Sequence, residues 1–83
     1  MAQEEGAMRE MTYGEKAVGL TFNPSNDPDV QEIKVAFAAA IDRIQEIRAK
    51  DTTPSEKGAM LTLAIREAQS AQMWAVKGTT WKE

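Results

Sequence analysis

The sequence predicts an all-α protein: an antiparallel two-helix hairpin with a short N-terminal segment, assembled as a homo-oligomer. Three observations predict this fold. Two long stretches repeat apolar residues at helical spacing, each stretch opens on a helix-start signal that contains proline, and the linker between them is short enough to place the helices antiparallel. We divide the single domain into an N-terminal segment, residues 1–20, and a loop plus hairpin, residues 21–83.

Composition narrows the possible functions of the 83-residue chain. It has no cysteine and no histidine, which excludes disulfides, thiolate or imidazole metal ligands and Cys–His or Ser–His nucleophiles. The net charge of −3 argues against DNA or RNA binding, and no apolar run approaches the roughly 20 residues of a membrane span. We expect a small intracellular binding protein without catalytic residues, metal or cofactor.

The first part of the chain is polar and irregular. Residues 1–20 contain three glycines and show little periodicity. Residues 21–29 form a turn cluster with Pro24 and Pro28. Because proline fixes its own φ and disfavours helix in the residue before it, this cluster is predicted to be an ordered loop.

The first long helix has a clear start. Asp27 is the predicted N-cap, Pro28 occupies the first helical position, and the helix should run to about Ala49. Its apolar positions follow steps of three and four and predict a packing seam. They are Val30, Ile33, Phe37, Ala40, Ile41, Ile44 and Ile47.

The second long helix is predicted to begin with a capping box in which Thr53 is the N-cap and Glu56 the third helical residue. It should run to about Lys77, with Gly78 as the stop. Its apolar residues cover more than one stripe, whereas a two-helix hairpin buries only one seam of each helix. The remaining apolar surface predicts self-association.

An antiparallel hairpin places the start of the first helix beside the end of the second. We therefore expect aromatic and basic side chains to meet at that end. Such a set would suit a nucleotide ligand, because nucleobases need stacking partners and phosphates need cations. From the residues alone each has an ordinary alternative: Trp74 as core, Phe22 as a staple on the helix, and the lysines as solvated surface. The candidates are Phe22, Trp74 and Trp81, Tyr13 if the N-terminal segment folds back, and Lys16, Lys34, Lys77 and Lys82.

Two stretches also carry a family resemblance. One is GEKAVGLTFNPSNDPDV at 14–30, and the other is AQSAQMWAVK at 68–77, followed by Thr79, Thr80 and Trp81. Together they resemble the small helical-hairpin proteins with which bacteriophages sequester cyclic-nucleotide messengers: the anti-CBASS family and its anti-Thoeris relatives. The resemblance covers roughly residues 13–82.

The resemblance implies a binding protein that is not an enzyme. Such a protein would hold cyclic di- or trinucleotides, or cyclic ADP-ribose isomers, without cleaving them, and would thereby block activation of CBASS or Thoeris effectors in the cytoplasm of the infected bacterial host. It also implies a homohexamer with pockets between protomers. Cyclic oligonucleotides are the implied ligands, and no DNA, RNA or membrane partner is expected.

The family's motif positions suggest eight ligand-binding residues. Tyr13 and Trp74 would pack on the bases, Lys16 and Lys77 would neutralise phosphates, Asn23 and Ser25 would donate or accept hydrogen bonds from the loop, and Arg66 and Thr80 would serve a second site on a symmetry axis. The alternative function is a helical oligomeric protein-interaction module with no small-molecule ligand. An enzyme that degrades the messenger is the third hypothesis.

Overall fold

The computed structural model describes residues 9–82, which fold into three helices without a β-strand. Helix α1 spans Tyr13–Val18, α2 spans Pro28–Ala49 and α3 spans Glu56–Thr79. Helices α2 and α3 are antiparallel, joined by residues 50–55, and α1 packs mainly on α2. The predicted all-α hairpin is therefore confirmed, whereas the homo-oligomer stays a prediction.

Helix α1 lies in the N-terminal segment, for which the sequence predicted no helix. It is nucleated by a capping box: the Thr12 hydroxyl accepts from the Glu15 N–H at 3.1 Å, and the Glu15 carboxylate accepts from the Thr12 N–H at 2.9 Å. Gly19 ends the helix with φ of 63°, a left-handed conformation that glycine adopts without steric cost.

Helix α2 begins where the sequence predicted. The Asp27 carboxylate accepts from the Asp29 N–H at 2.8 Å, and Pro28 occupies the first turn. The helix ends at Ala49, also as predicted. One seam position differs, because Ala38 is buried and Ala40 is exposed.

The predicted start and stop of the second long helix are both wrong. Ser55 is the N-cap, and its hydroxyl accepts from the Gly58 N–H at 3.1 Å. The Thr53 N–H instead donates to the Asp51 carboxylate at 3.0 Å. At the other end Gly78 stays in a right-handed conformation, and the helix continues to Thr79. A glycine stops a helix only where its φ becomes positive.

Glycine also determines how closely α1 approaches α2. The Gly14 N–H donates to the Asp42 carboxylate at 2.7 Å. A Cβ on Gly14 would lie 2.1 Å from the carbonyl oxygen of Ala38. This contact sets the position of the whole short helix.

The core is small, and much apolar surface stays outside it. Within residues 9–82 the cluster of buried apolar side chains consists of Val18, Ala38, Ile41 and Ile65. On α3 the side chains of Met60, Leu63 and Trp74 point away from that core. In the described part of the single chain, the exposed large apolar residues are Tyr13, Phe22, Val35, Met60, Leu63, Met73, Trp74 and Trp81. Within the described residues, no helix has both the length and the apolar character needed to cross a membrane.

Candidate functional site

Lys34 is buried, so it is not the phosphate ligand that the sequence suggested. Its side chain is 4% exposed, and its ammonium group donates to the carbonyl of Gly19 at 2.9 Å and to the carbonyl of Phe22. It also lies 5.4 Å from the centre of the Phe22 ring. Lys34 therefore fixes the segment between α1 and α2.

Phe22 is not a staple packed into the hairpin, because its side chain is 71% exposed. It borders a groove of about 580 Å³ between the end of α1 and the C-terminal half of α3. Lys16, Met73 and Val76 also line this groove. An open aromatic ring and a cation therefore face the same concave, mainly apolar surface.

The side chains of the loop residues Asn23 and Ser25 are hydrogen-bonded to each other. The Ser25 hydroxyl donates to the Asn23 side-chain oxygen at 3.2 Å, and the Asn23 amide donates to the Asp27 carbonyl at 3.1 Å. These bonds organise the turn, in which Asn26 has a φ of 55°. Ser25 remains exposed and borders an open concavity of about 750 Å³ that it shares with Thr80.

Trp74 and Lys77 form an exposed pair on α3. Trp74 is 68% exposed, and the Lys77 ammonium lies 5.5 Å from the ring centre. In this chain Trp74 is therefore not a core residue, contrary to the ordinary alternative given for it above. The pair combines a stacking surface with a positive charge at one place.

Tyr13 lies away from the other aromatic candidates, contrary to the predicted gathering at one end of the hairpin. Its ring is contacted by Arg48, whose guanidinium carbon is 5.6 Å from the ring centre. Arg48 in turn donates to the Thr62 hydroxyl at 3.0 Å, near the end where α2 and α3 are joined. The cause is the close approach of Gly14 to the middle of α2, which turns Tyr13 toward that end. Arg48 was not among the residues predicted from the sequence, because nothing in the sequence pattern links it to α1.

The candidates for a second site are also separate from one another. Arg66 is exposed and donates to the Gln69 side chain at 3.0 Å. The Thr80 hydroxyl donates to the Val76 carbonyl at 2.9 Å, closing the last turn of α3. Both side chains are accessible, but one chain does not bring them together.

A charge interaction secures the start of α1. The guanidinium of Arg9 donates to the Glu15 carboxylate at 3.0 and 3.1 Å, which holds the pKa of Glu15 below its ordinary value of 4.5. The reciprocal interaction raises the pKa of Arg9. Residues 9–82 contain no cluster of three or more acidic side chains that could hold a metal ion.

The eight predicted ligand residues thus lie on one small protein at several separate places. Ser25 and Thr80 share a concavity, Trp74 and Lys77 pair on α3, and Lys16 lines the groove beside Phe22. No single pocket within residues 9–82 contains all of them.

The chain matches a model of a known protein family. The Acb2/Tad1 hairpin domain matches residues 15–80, which is more than half of the chain. The chain belongs to the Acb2/Tad1 hairpin family. This is the anti-CBASS and anti-Thoeris sponge family, which is associated with sequestration of cyclic nucleotides and whose members are sponge-type binding proteins. The resemblance seen in the sequence is confirmed.

The match begins within α1 and ends at Thr80, the residue that follows α3, so Lys16, Trp74 and Thr80 lie inside it and Tyr13 just outside. None of the curated proteins and none of the solved structures compared with the chain is a significant match.

Proposed function

We propose that this Acb2/Tad1 hairpin protein is a phage-encoded counter-defence protein that binds cyclic oligonucleotide messengers and keeps them intact. By lowering the free messenger it prevents activation of CBASS or Thoeris effectors in the cytoplasm of the infected host. The ligands are cyclic di- or trinucleotides, and cyclic ADP-ribose isomers are included. The family match carries the proposal.

The exposed chemistry of α3 supports this function. Trp74 is mostly exposed and carries the Lys77 ammonium close to its ring. Exposing so large an aromatic side chain is unfavourable unless something covers it, at about 25 cal/mol per Å² of apolar surface. A nucleobase on the ring and a phosphate on the ammonium would use both groups.

The binding sites are proposed to lie between copies of the chain, in a homohexamer. The buried core is small, several large apolar residues are exposed, and the candidate ligand residues are spread over the surface of one chain. Symmetric association would cover apolar surface and bring residues of different copies together. Duplicated lysines would also let an acidic protein hold an anionic ligand.

The proposed role sets a requirement on affinity. A sponge does not turn over, so it must be present in amounts comparable to the messenger and must bind more tightly than the effector. A nanomolar Kd corresponds to about −12 kcal/mol. For a cyclic dinucleotide of about 45 non-hydrogen atoms this is roughly 0.3 kcal/mol per atom, which is ordinary for an enclosed ligand.

Titration calorimetry tests the proposal directly. The wild-type chain, Lys77→Ala and Arg43→Ala are titrated with 3′,3′-cyclic diadenylate, a cyclic triadenylate and a cyclic ADP-ribose isomer. Arg43 is the matched control, because it is an exposed cation that lines none of the concave surfaces described above. We expect nanomolar binding of at least one ligand, weaker binding by Lys77→Ala and unchanged binding by Arg43→Ala.

Light scattering on the same samples separates this function from its alternative. A sponge variant should lose affinity while keeping the wild-type particle size. If the wild-type protein is an oligomer that binds none of these ligands, a protein-interaction module explains the exposed surface instead.

A further inference from the structure

Arg48 is a half-buried cation that forms no ion pair with a carboxylate of residues 9–82. Among residues 9–82, Arg9 pairs with Glu15 and Arg43 pairs with Glu46. Arg48 instead donates only to neutral oxygen atoms, those of the Gln45 and Thr62 side chains. A partly desolvated charge that the chain does not neutralise is suited to an anion from elsewhere.

The hydrogen bonds of Arg48 leave part of its guanidinium available. A guanidinium has five N–H donors. Its Nε–H and one N–H of a terminal nitrogen go to the Gln45 side-chain oxygen, and one N–H of the other terminal nitrogen goes to the Thr62 hydroxyl at 3.0 Å. One N–H remains on each terminal nitrogen, and each of these can donate to a phosphate oxygen.

An aromatic ring lies directly beside this cation. The guanidinium carbon of Arg48 is 5.6 Å from the centre of the Tyr13 ring, and Tyr13 is 39% exposed. Gly14 fixes the backbone that carries the ring, because its N–H donates to Asp42 and its close contact with Ala38 leaves no room for a side chain. Arg48 and Tyr13 are thus held together from two different helices before any ligand arrives.

Arg48 also lines a cleft where α2 and α3 are joined. This cleft has a volume of about 630 Å³ and is also lined by Thr53, Ser55 and Thr62. Asp51 borders it too, but its carboxylate accepts from the Thr53 N–H at 3.0 Å and makes no ion pair with Arg48. The cleft gives an anion access to Arg48 from solvent.

From this arrangement we propose that Arg48 binds a phosphate of the cyclic nucleotide whose base stacks on Tyr13. The ligand class is a nucleotide phosphodiester: the ring takes the base and the two remaining N–H groups take the phosphate oxygens. The proposal rests on the proposed function and adds to it a cation that the sequence motifs do not contain.

Calorimetry with 3′,3′-cyclic diadenylate tests the role of Arg48 in the full chain. The variants are Arg48→Gln and Arg48→Lys, and the matched control is Arg43→Gln, which removes an exposed arginine of the same helix. Loss of a charge-assisted phosphate contact should weaken binding about 10- to 100-fold in Arg48→Gln. Arg48→Lys should lie between it and the wild type, because a lysine keeps the charge but not the paired donors. Arg43→Gln should bind as the wild type does.

Two further measurements distinguish direct contact from a structural role. The dependence of Kd on salt should be shallower in Arg48→Gln, because one screened charge contact is gone. In the wild-type protein, the Arg48 Nε–H resonance, assigned from its absence in Arg48→Lys, should shift on adding the ligand.

The outcomes are separable. If the wild type binds and Arg48→Gln binds equally well, or binds more weakly with an unchanged salt dependence and no shift of the Arg48 resonance, the Arg48 assignment is wrong and the sponge function stands. If the wild type binds none of the cyclic nucleotides, the proposed function and the assignment both fail.

Discussion

Replacing Gly14 by alanine should displace α1 from α2. The new Cβ would lie 2.1 Å from the carbonyl oxygen of Ala38, 2.9 Å from its carbonyl carbon and 3.0 Å from the carboxylate carbon of Asp42. The first two atoms belong to the backbone of a long helix and cannot move aside cheaply. Helix α1 must therefore shift, and its 2.7 Å bond to Asp42 is lost or stretched.

The magnitude follows from three contributions. Steric overlap in a packed contact costs about 1–3 kcal/mol, and loss of a hydrogen bond to a charged group costs about 1.5–3 kcal/mol. Alanine recovers about 1 kcal/mol, because it favours helix over glycine. The free energy of unfolding should therefore fall by roughly 1.5–5 kcal/mol, a large part of the stability of a small domain.

Urea denaturation followed by circular dichroism, at one fixed protein concentration, measures this loss. The matched control is Gly78→Ala, because Gly78 is also helical and its added Cβ would meet no atom within 4 Å. We expect Gly78→Ala to be more stable than the wild type by about 0.5–1 kcal/mol. A Gly14→Ala protein as stable as Gly78→Ala would refute the close approach of the two helices.

Three further substitutions test other parts of the structure. Lys34→Met should lower the free energy of unfolding by about 2–4 kcal/mol, because it leaves two carbonyl groups without their donor, as thermal denaturation would show. Ser55→Ala should cost about 1 kcal/mol through loss of the N-cap, whereas Thr53→Ala should cost much less in the same urea titration. The folded-state pKa of Glu15 lies below its unfolded value, so the stabilisation by Arg9 is complete above about pH 4.5 and is lost as the pH falls through the lowered pKa. Over that acid range, the Tm of Glu15→Gln should therefore depend less on pH than the Tm of the wild type.

Each of these has a contradicting result. Equal Tm values for wild type and Lys34→Met would mean that the ammonium does not support the loop. Equal losses of unfolding free energy in the Ser55 and Thr53 variants would contradict Ser55 as the N-cap of α3. A Glu15→Gln protein that loses stability in acid as steeply as the wild type would contradict stabilisation by the ion pair of Arg9 and Glu15.

Helix α2 was predictable because its signals are local and agree with one another. Asp27 and Pro28 mark the start, and the apolar spacing that follows fits one helix face. The start of α3 was harder, because Thr53 and Ser55 both supply a capping hydroxyl followed by a proline or an acidic residue. Only the turn made by Asp51 decides between them.

The site was less predictable because it depends on contacts between distant parts of the chain. Lys34 reads as a free cation in the sequence, and only the fold places two carbonyl oxygens around its ammonium group. Tyr13 meets Arg48 because Gly14 brings α1 against the middle of α2. Periodicity contains no information on such crossings, since it reports which face of a helix is apolar and not which partner covers it.

Retention and recovery of a messenger test the central claim most directly. The purified wild-type protein is mixed with 3′,3′-cyclic diadenylate, cyclic triadenylate or a cyclic ADP-ribose isomer, freed of unbound nucleotide by gel filtration and then heated. The released nucleotide is identified by liquid chromatography with mass spectrometry. We predict that at least one messenger is retained in stoichiometric amount and recovered intact. Recovery of a linear product, or retention of none of the three, would contradict sequestration.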